Sequence, residues 1–330
     1  MNRPLVSVIM PTYNEERAVK ASIDSVLRQT ERSWELLIID GRSTDRTKEI
    51  VQELALADDR IRLLDNPAGI IPAGLNVGLT AAEGEFIARI DGHSIVAPDH
   101  LARGIGHLRA RRDLAAVGGL RVGVARTSSG RAIALALSSR FGVGNSVIHY
   151  GDSVQDTDHA AWGVYRRDVA RDIGGWDEAL LVNEDVDFDH RIGLQGHAIL
   201  FDPAMKIDWQ VRESLSGLWR QYRRYGRGKA AMVRKNGWGA VRLRHLAAPG
   251  LVVAGVVGLG AAVVGAWPVP VGGSVVYLTA VGLASKRAVN RTDEAIDVWV
   301  VPAAFVAMHV GWGIGFLEGV LLGRQPARSS

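Results

Sequence analysis

The 330-residue chain contains no cysteine. That excludes a disulfide framework, a thiolate zinc site and a thiol nucleophile. Charged residues make up only 22% against 47% hydrophobic, a balance that excludes a disordered or heavily solvated chain. The net charge of +4 is small for a nucleic-acid binder, and no nucleic-acid partner is expected. The first strand-to-helix turn lacks G-x-G-x-x-G. It reads PTYNEE at 11–16, with bulky side chains where a dinucleotide pyrophosphate needs close backbone approach. Acids are missing from residues 214–245, where nine Arg or Lys accumulate. Charge of either sign is missing from the 40 residues Leu246–Ser285.

That last absence points to a membrane. A spanning helix needs about 20 apolar residues to cross roughly 30 Å of hydrocarbon, so the stretch holds two. Trp267, Pro268 and Pro270 mark the turn between them, and a polar loop Lys286–Asp297 leads to a third apolar run, Val298–Gly323, interrupted by Glu318. The basic segment before Leu246, with Lys286, Arg287 and Arg291, places the preceding chain in the cytoplasm. Three crossings then leave the end of the chain outside, against which Arg324 and Arg328 argue. The organisation read from sequence is a cytosolic domain at 1–213 and basic interfacial helices at 214–245. A spanning region covers 246–323 (about 246–267, 269–285 and 298–322), and a tail 324–330 follows. Location in the inner or cytoplasmic membrane, multi-pass, is expected.

Before that tail the pattern alternates. Strands are predicted at Leu5–Met10, Glu35–Ile39, Ile61–Leu64 and Glu85–Ile90, with helices at Glu15–Arg28, Asp45–Ala57 (capped by Ser43 or Thr44) and Ile71–Ala82. Beyond them a strand is read at Ala115–Val122 and helices at Arg131–Arg140 and Leu215–Val233. Such alternation predicts an α/β, Rossmann-like, mostly parallel sheet with helices on both faces, and ligands outside the carboxyl ends of its strands.

Three strand ends carry polar residues that buried strands do not need: Thr12-Tyr13-Asn14-Glu15, Asp40 and Asp91-Gly92-His93. Tyr13 can stack on a base and Glu15 can accept from a ribose, or Asn14 and Glu15 merely cap a helix. Asp40 can accept from a pyrimidine imide N–H, or is a turn aspartate. Asp91 and His93 form a candidate metal site, because a nucleotide diphosphate needs a divalent cation and hard oxygen suits Mg2+ or Mn2+, with imidazole favouring Mn2+. Five acids fall within Asp177–Asp187, a crowding that a cation or a shared proton would relieve. A carboxylate there can deprotonate an acceptor hydroxyl, or the run is a solvated loop at a helix start. Arg224 can hold diphosphate oxygens bidentately, and Tyr225 can flank an acceptor, or the segment is a positive-inside anchor lying on anionic lipid, the reading that suits most of its nine charges.

The ordered set PTYNEE, LLIIDGRSTDRT, FIARIDGHS, GGWDE, NED and QYRRY resembles the family 2 inverting glycosyltransferases of GT-A fold. It is closest to the membrane-attached exopolysaccharide type associated with succinoglycan synthesis, and covers about Leu5 to Tyr225. The resemblance implies that Pro11, Thr12, Tyr13, Glu15, Asp40, Asn76 and Asp91 bind the nucleotide sugar. Asp91 and His93 would occupy the D-x-D metal position, for Mn2+ or Mg2+. Asp185 would be the catalytic base with Glu184 beside it. Gln221, Arg224, Tyr225, Trp176 and Asp177 would serve acceptor and diphosphate. Two departures stand out: His93 replaces the second Asp, and Tyr225 replaces the Trp of Q-x-x-R-W, which favours transfer of a single sugar over processive synthesis.

The implied partners are a nucleotide-sugar donor, UDP-linked by family habit, a lipid-linked or saccharide acceptor, membrane lipids and other exopolysaccharide-assembly proteins. The competing reading is a membrane-tethered sugar-nucleotide-binding or scaffold protein with a degenerate site. A transporter is a poorer third.

Overall fold

A computed structural model of the chain describes residues 3–242 and 244–323. Arg324, Arg328 and the rest of the expected tail lie outside the described residues. The chain alternates through β1 (Val6–Thr12), α1 (Val19–Leu27), β2 (Trp34–Asp40), α2 (Thr47–Ala57), β3 (Ile61–Asp65), α3 (Ile71–Ala81) and β4 (Phe86–Arg89). It continues through β5 (Ser94–Val96), α4 (His100–Ala110), β6 (Leu114–Val124), α5 (Ser128–Leu137), α6 (Arg140–Val143), β7 (Gln155–Thr157) and β8 (Val164–Arg166). Then come α7 (Arg167–Asp172), α8 (Glu184–Leu194), β9 (Ala198–Gln210), α9 (Leu215–Asn236), α10 (Arg244–Val263), α11 (Pro268–Val289) and α12 (Val300–Leu322).

Two compact units result: residues 1–122 with 150–209, and residues 123–149 with 210–330. In the first, the sheet order is β3-β2-β1-β4-β8-β6-β9-β5, with β7 on β9. β1 pairs in parallel with both β2 and β4, so the strand order reverses about β1, the position at which such sheets open a ligand crevice. Both faces of β1 are covered. Val6, Val8 and Met10 join a cluster with α1 and α4, while Ile9 joins Leu75, Leu79 and Phe188 on the other side. That explains the unbroken apolar runs of β1 and β2. The mixed half, with β8 antiparallel to β4 and β6 and with β5 and β7 antiparallel to β9, is additional to the parallel core expected from sequence.

In the second unit, α5 and α6 join α9–α12, so residues 123–149 leave the domain to which the sequence assigned them. The cause is packing: Phe141 meets Phe305 of α12 edge-on, with ring centroids 5.1 Å apart. The helix expected over Arg131–Arg140 ends at Leu137, and a separate turn begins at Arg140. The loop expected from Lys286 starts later, because α11 runs on to Val289 with Lys286 and Arg287 in its last turn, where cations suit a helix C-terminus. α10, α11 and α12 are each long and apolar enough to cross a membrane.

Candidate functional site

The turn after β1 is tied to the turn after β2. Asn14, held in the left-handed region at φ 54°, accepts from the Thr44 amide at 2.8 Å and donates its own amide to the Ser43 hydroxyl at 2.9 Å. The Glu15 amide donates to Thr47 Oγ1 at 2.8 Å. Ser43 and Thr44 are therefore spent across this turn, and no side chain at Arg46 caps α2. Nor does Glu15 cap α1: its carboxylate meets His93 Nδ1 at 2.7 Å. Gly92 is required here, since a methyl on it would come within 2.7 Å of Thr12 Cγ2. Pro11 and Thr12 form the end of β1, opposite Ile39 and Asp40 in register. Tyr13 is 47% exposed beside them, available to a ring.

Asp40 is buried at the end of β2. One carboxylate oxygen accepts from the Ser43 amide at 3.0 Å and lies 3.4 Å from Lys48 Nζ. The other, Oδ1, is buried with no hydrogen-bond partner among the described residues. A buried acceptor left unmatched is costly, so it marks a place where a donor is expected to arrive.

Asp91 is drawn to α8 by an arginine within β4. Arg89 Nε donates to Asp91 at 2.9 Å, and its Nη1 donates to Glu184 at 3.1 Å. The residue is buried, and the neighbouring acids hold its guanidinium charged well beyond the usual range despite desolvation. Burial favours the neutral acid at Asp91, but the charge and hydrogen bond of Arg89, then His93 and the Trp162 indole, outweigh it and lower its pKa.

Asp185 stands next to Glu184 on the first turn of α8, and the two acids differ in environment. Burial and the charge of Asp185 raise Glu184 despite Arg89. For Asp185, burial is overcome by His159, then by Arg89 and the Val186 amide, and its pKa falls. His159 Nε2 lies 3.7 Å from Asp185, while its Nδ1 meets Asp189 at 2.6 Å. Burial would deprotonate His159, yet the Asp189 bond and the charges of Asp185 and Asp189 win and raise its pKa. Asp185 keeps 33% of its side-chain surface open, as a group that meets a ligand must.

His159 begins a tight loop. Ala161 and Trp162 both have positive φ (37° and 48°), strained for residues bearing a Cβ. Trp162 and Trp209 sandwich Arg121, whose guanidinium carbon lies 4.4 and 4.2 Å from the two ring centroids. Its charge acts on both Asp185 and His159.

The crowded acids of 177–187 are relieved one at a time. Asp187 pairs with Arg191 at 2.8 Å, Glu184 with Arg89, and Glu178 accepts from Asn76 at 2.9 Å. Asn76 also spans Trp176, accepting from its amide and donating to its carbonyl at 2.8 Å each, so it braces the 174–178 loop. Trp176 itself is in the core, stacked on Phe188 at 4.3 Å. The acceptor contact expected of it yields to packing. Asp177 accepts from the Ala179 amide at 3.0 Å. Gln221, Arg224 and Tyr225 belong to α9 in the second unit, where Gln221 donates to the Tyr225 hydroxyl at 3.0 Å.

Among the described residues no three His, Asp or Glu side chains close on a point that would hold a metal ion. Of the Asp91/His93 pair expected from sequence, the acid is engaged by Arg89 and the imidazole Nδ1 by Glu15, while His93 still acts electrostatically on Asp91. The hard oxygen that suits such a cation is the Asp91 carboxylate.

Sequence reasoning did not identify Arg89, His159, Asp189, Trp162 and Arg121 as site residues. Arg89 had a signal, a charge inside the buried strand FIARI. His159 and Asp189 had none, being 30 residues apart with no shared motif.

The family model for glycosyl transferase family 2 matches residues 7–174. The succinoglycan biosynthesis protein ExoA of Rhizobium meliloti is 30% identical over 95% of this chain and 94% of its own length. An Escherichia coli glucosyltransferase, WfgD, described as acting on α-D-GlcNAc-diphosphoundecaprenol with UDP-Glc, is 47% identical over 29% of this chain and 37% of its own. Among solved structures, the mannosyltransferase PcManGT of Pyrobaculum calidifontis, in complex with GDP-Man and Mn2+, superposes with a TM-score of 0.58 at 19% identity. That match covers 94% of this chain and 88% of that one. The shared architecture is the GT-A fold.

Proposed function

The chain belongs to glycosyl transferase family 2, and from that premise we propose that it moves one sugar from a nucleotide-diphosphate sugar to a hydroxyl of a lipid-linked or saccharide acceptor, with inversion. The setting is the assembly of exopolysaccharide or a related glycan, as the name of the Rhizobium relative suggests. The observation that carries the reading is Arg89, which joins Asp91 on one strand end to Glu184 on α8 and so brings Asp185 to the crevice beside β1.

The base and ribose lie along Pro11, Thr12, Tyr13 and Glu15. Asp40 Oδ1 supports a base with an imide N–H, since that donor would complete its hydrogen bonding; this favours UDP. A divalent cation, Mn2+ or Mg2+, held by Asp91 with nucleotide oxygens and water, would neutralise the departing diphosphate. Asp185, kept ionised by His159 and Arg89, takes the proton of the acceptor hydroxyl. The freed oxygen bonds to C1 of the sugar from the face opposite the nucleotide. The C1–oxygen bond breaks, and its electron pair leaves with the diphosphate. One displacement needs no covalent enzyme intermediate, so configuration inverts. Glu184 is buried and tied to Arg89, so the more open Asp185 is the acid placed to meet the acceptor. The apolar helices attach the protein to the membrane, with the catalytic unit on the cytoplasmic side because the basic segments flank them.

The test is Asp185→Asn assayed for nucleotide diphosphate release and sugar transfer across a panel of nucleotide sugars. Transfer is expected to drop about 10²–10⁴-fold with donor binding retained. Near-normal transfer would remove Asp185 from the base role, and no transfer by the unmodified protein with any donor would favour a binding or scaffold protein.

A further inference from the structure

Within the second unit, α12 differs from the two helices before it. Half of its apolar window is buried inside the protein, 50% against 11% for α10 and for α11. What covers much of it is α9, a helix with Arg220, Arg223, Arg224, Arg227, Lys229, Arg234 and Lys235 and no acid. Glycines set the pairing. A methyl on Gly311 would meet the Trp219 carbonyl at 3.3 Å, one on Gly315 would run into the Arg223 carbonyl, and one on Gly319 would meet Arg227 at 3.4 Å. From the other side, a methyl on Gly226 would strike the Trp312 carbonyl. The partners advance together in steps of four, so the two helices run parallel with their backbones in contact. Glu318 receives Arg223 at 3.0 Å and Arg227 at 2.9 Å, and Arg234 donates to the Gly319 carbonyl.

A parallel, in-register partner shares depth. From Gly311 to Gly319 the helices advance about 12 Å together, and over that distance α9 presents arginines at every turn. Were α12 to cross the bilayer, α9 would be carried into hydrocarbon with it. Glu318 pairs with Arg223 and Arg227, while Arg220, Arg234 and Lys235 are exposed at the surface of the helix. The remaining sides of α12 meet α6 through Phe141, whose carbonyl is 2.8 Å from His309 Nε2, and α10 through Gly313. By contrast, α10 and α11 expose Val256, Val257, Leu259, Val263, Val264, Val269, Val275 and Val276 with no polar residue at the turn between them.

We propose that α12 does not cross the membrane. It lies with α9 at the level of the lipid headgroups, α10 and α11 alone enter the hydrocarbon, and the chain after α12 stays on the side of α9. The partner is an anionic bilayer surface, met by the cations of α9. This replaces the three-crossing expectation and removes the disagreement of Arg324 and Arg328 with it. The proposal rests on the membrane attachment put forward above.

The absence of cysteine makes the test clean. Single-cysteine variants Ser330→Cys, beyond the described residues, and Leu56→Cys, at an exposed position of α2 (91%), are treated with a membrane-impermeant maleimide in intact spheroplasts and after lysis. The expected result is that both react from the same side, protected in spheroplasts and labelled after lysis. Labelling of Ser330→Cys from the side opposite Leu56→Cys would overturn the proposal while leaving the transferase reading intact. Sedimentation after an alkaline carbonate wash reads attachment separately: retention in the pellet is expected, and a fully soluble chain would overturn both attachment and proposal.

Discussion

The two units bury charge in opposite proportion. In the first, Asp91, Glu184, Asp185 and Asp189 gather around Arg89 and His159, with Arg121 acting from between two tryptophans. In the second, Arg223 and Arg227 converge on Glu318. Excess acid in a buried place creates a potential that attracts protons and cations, so the groups there titrate away from their ordinary values. Excess arginine beside a carboxylate has a cheaper outlet, because long side chains can reach water or lipid phosphate. The first arrangement is suited to chemistry and the second to holding a helix pair together at a surface.

Removing the counter-charge should break the first arrangement most severely. Arg89→Met leaves Asp91 and Glu184 buried without their shared partner, and a loss of about 3–5 kcal/mol is expected in chemical denaturation. A variant as stable as the parent would mean that the acids are neutralised by protons, and the contrast between the units would disappear.

A smaller effect should come from His159→Asn. The imidazolium lowers the Asp185 pKa, so its loss raises that pKa, and the acid limb of kcat/KM is expected to move to higher pH. The loss of stability should be smaller than that of Arg89→Met, because the Asn amide can still donate to buried Asp189. The sign is fixed by order: the raised His159 pKa means the ring is still protonated when Asp185 titrates. An unmoved acid limb would reduce His159 to a packing residue.

Glu184→Gln sharpens the distinction between the two neighbouring acids. Glu184 has the higher pKa, so it is already neutral when Asp185 titrates, and its replacement should leave the acid limb in place. Its effect appears in stability. With a folded pKa above the ordinary 4.5, Glu184 contributes stability below that value which is lost as pH rises through the folded pKa. The variant should therefore show a flatter decline of stability from the carboxylate range toward neutrality, measured by denaturation at several pH values.

How much of this was legible in the sequence depends on how local each feature is. The parallel half of the sheet was readable because β1, β2 and β4 are buried on both faces and write that burial as apolar runs. Thr12, Asp40 and Asp91 were readable as polar residues ending those runs. The mixed half was not, since β5, β7 and β8 have three residues each, too few to show a period. The environment of Asp91 and His93 depends on a local neighbour, Arg89, and on Glu15, which lies 78 positions from His93 and approaches only after the sheet forms. His159 lies 26 positions before Asp185, in a loop whose left-handed turn at Ala161 and Trp162 carries no glycine to announce it. Apolar length marked α12 as spanning. Its glycine period of four, which brings α9 against it, is a packing signal that hydropathy averages away.

The least disruptive test lies in the second unit. Glu318→Gln removes the carboxylate that holds Arg223 and Arg227, but both arginines are partly exposed and can turn to water. The expected cost is about 1 kcal/mol or less, the range of ion pairs open to solvent. The amide still accepts from one arginine, and the Gly311, Gly315 and Gly319 contacts still hold α12 to α9. Transfer activity and membrane retention should be unchanged. A cost as large as that of Arg89→Met would mean that Glu318 sits in a medium as dry as the first unit's acids. The two charge clusters would then differ only in sign, and α12 would have to be placed deeper than the headgroups.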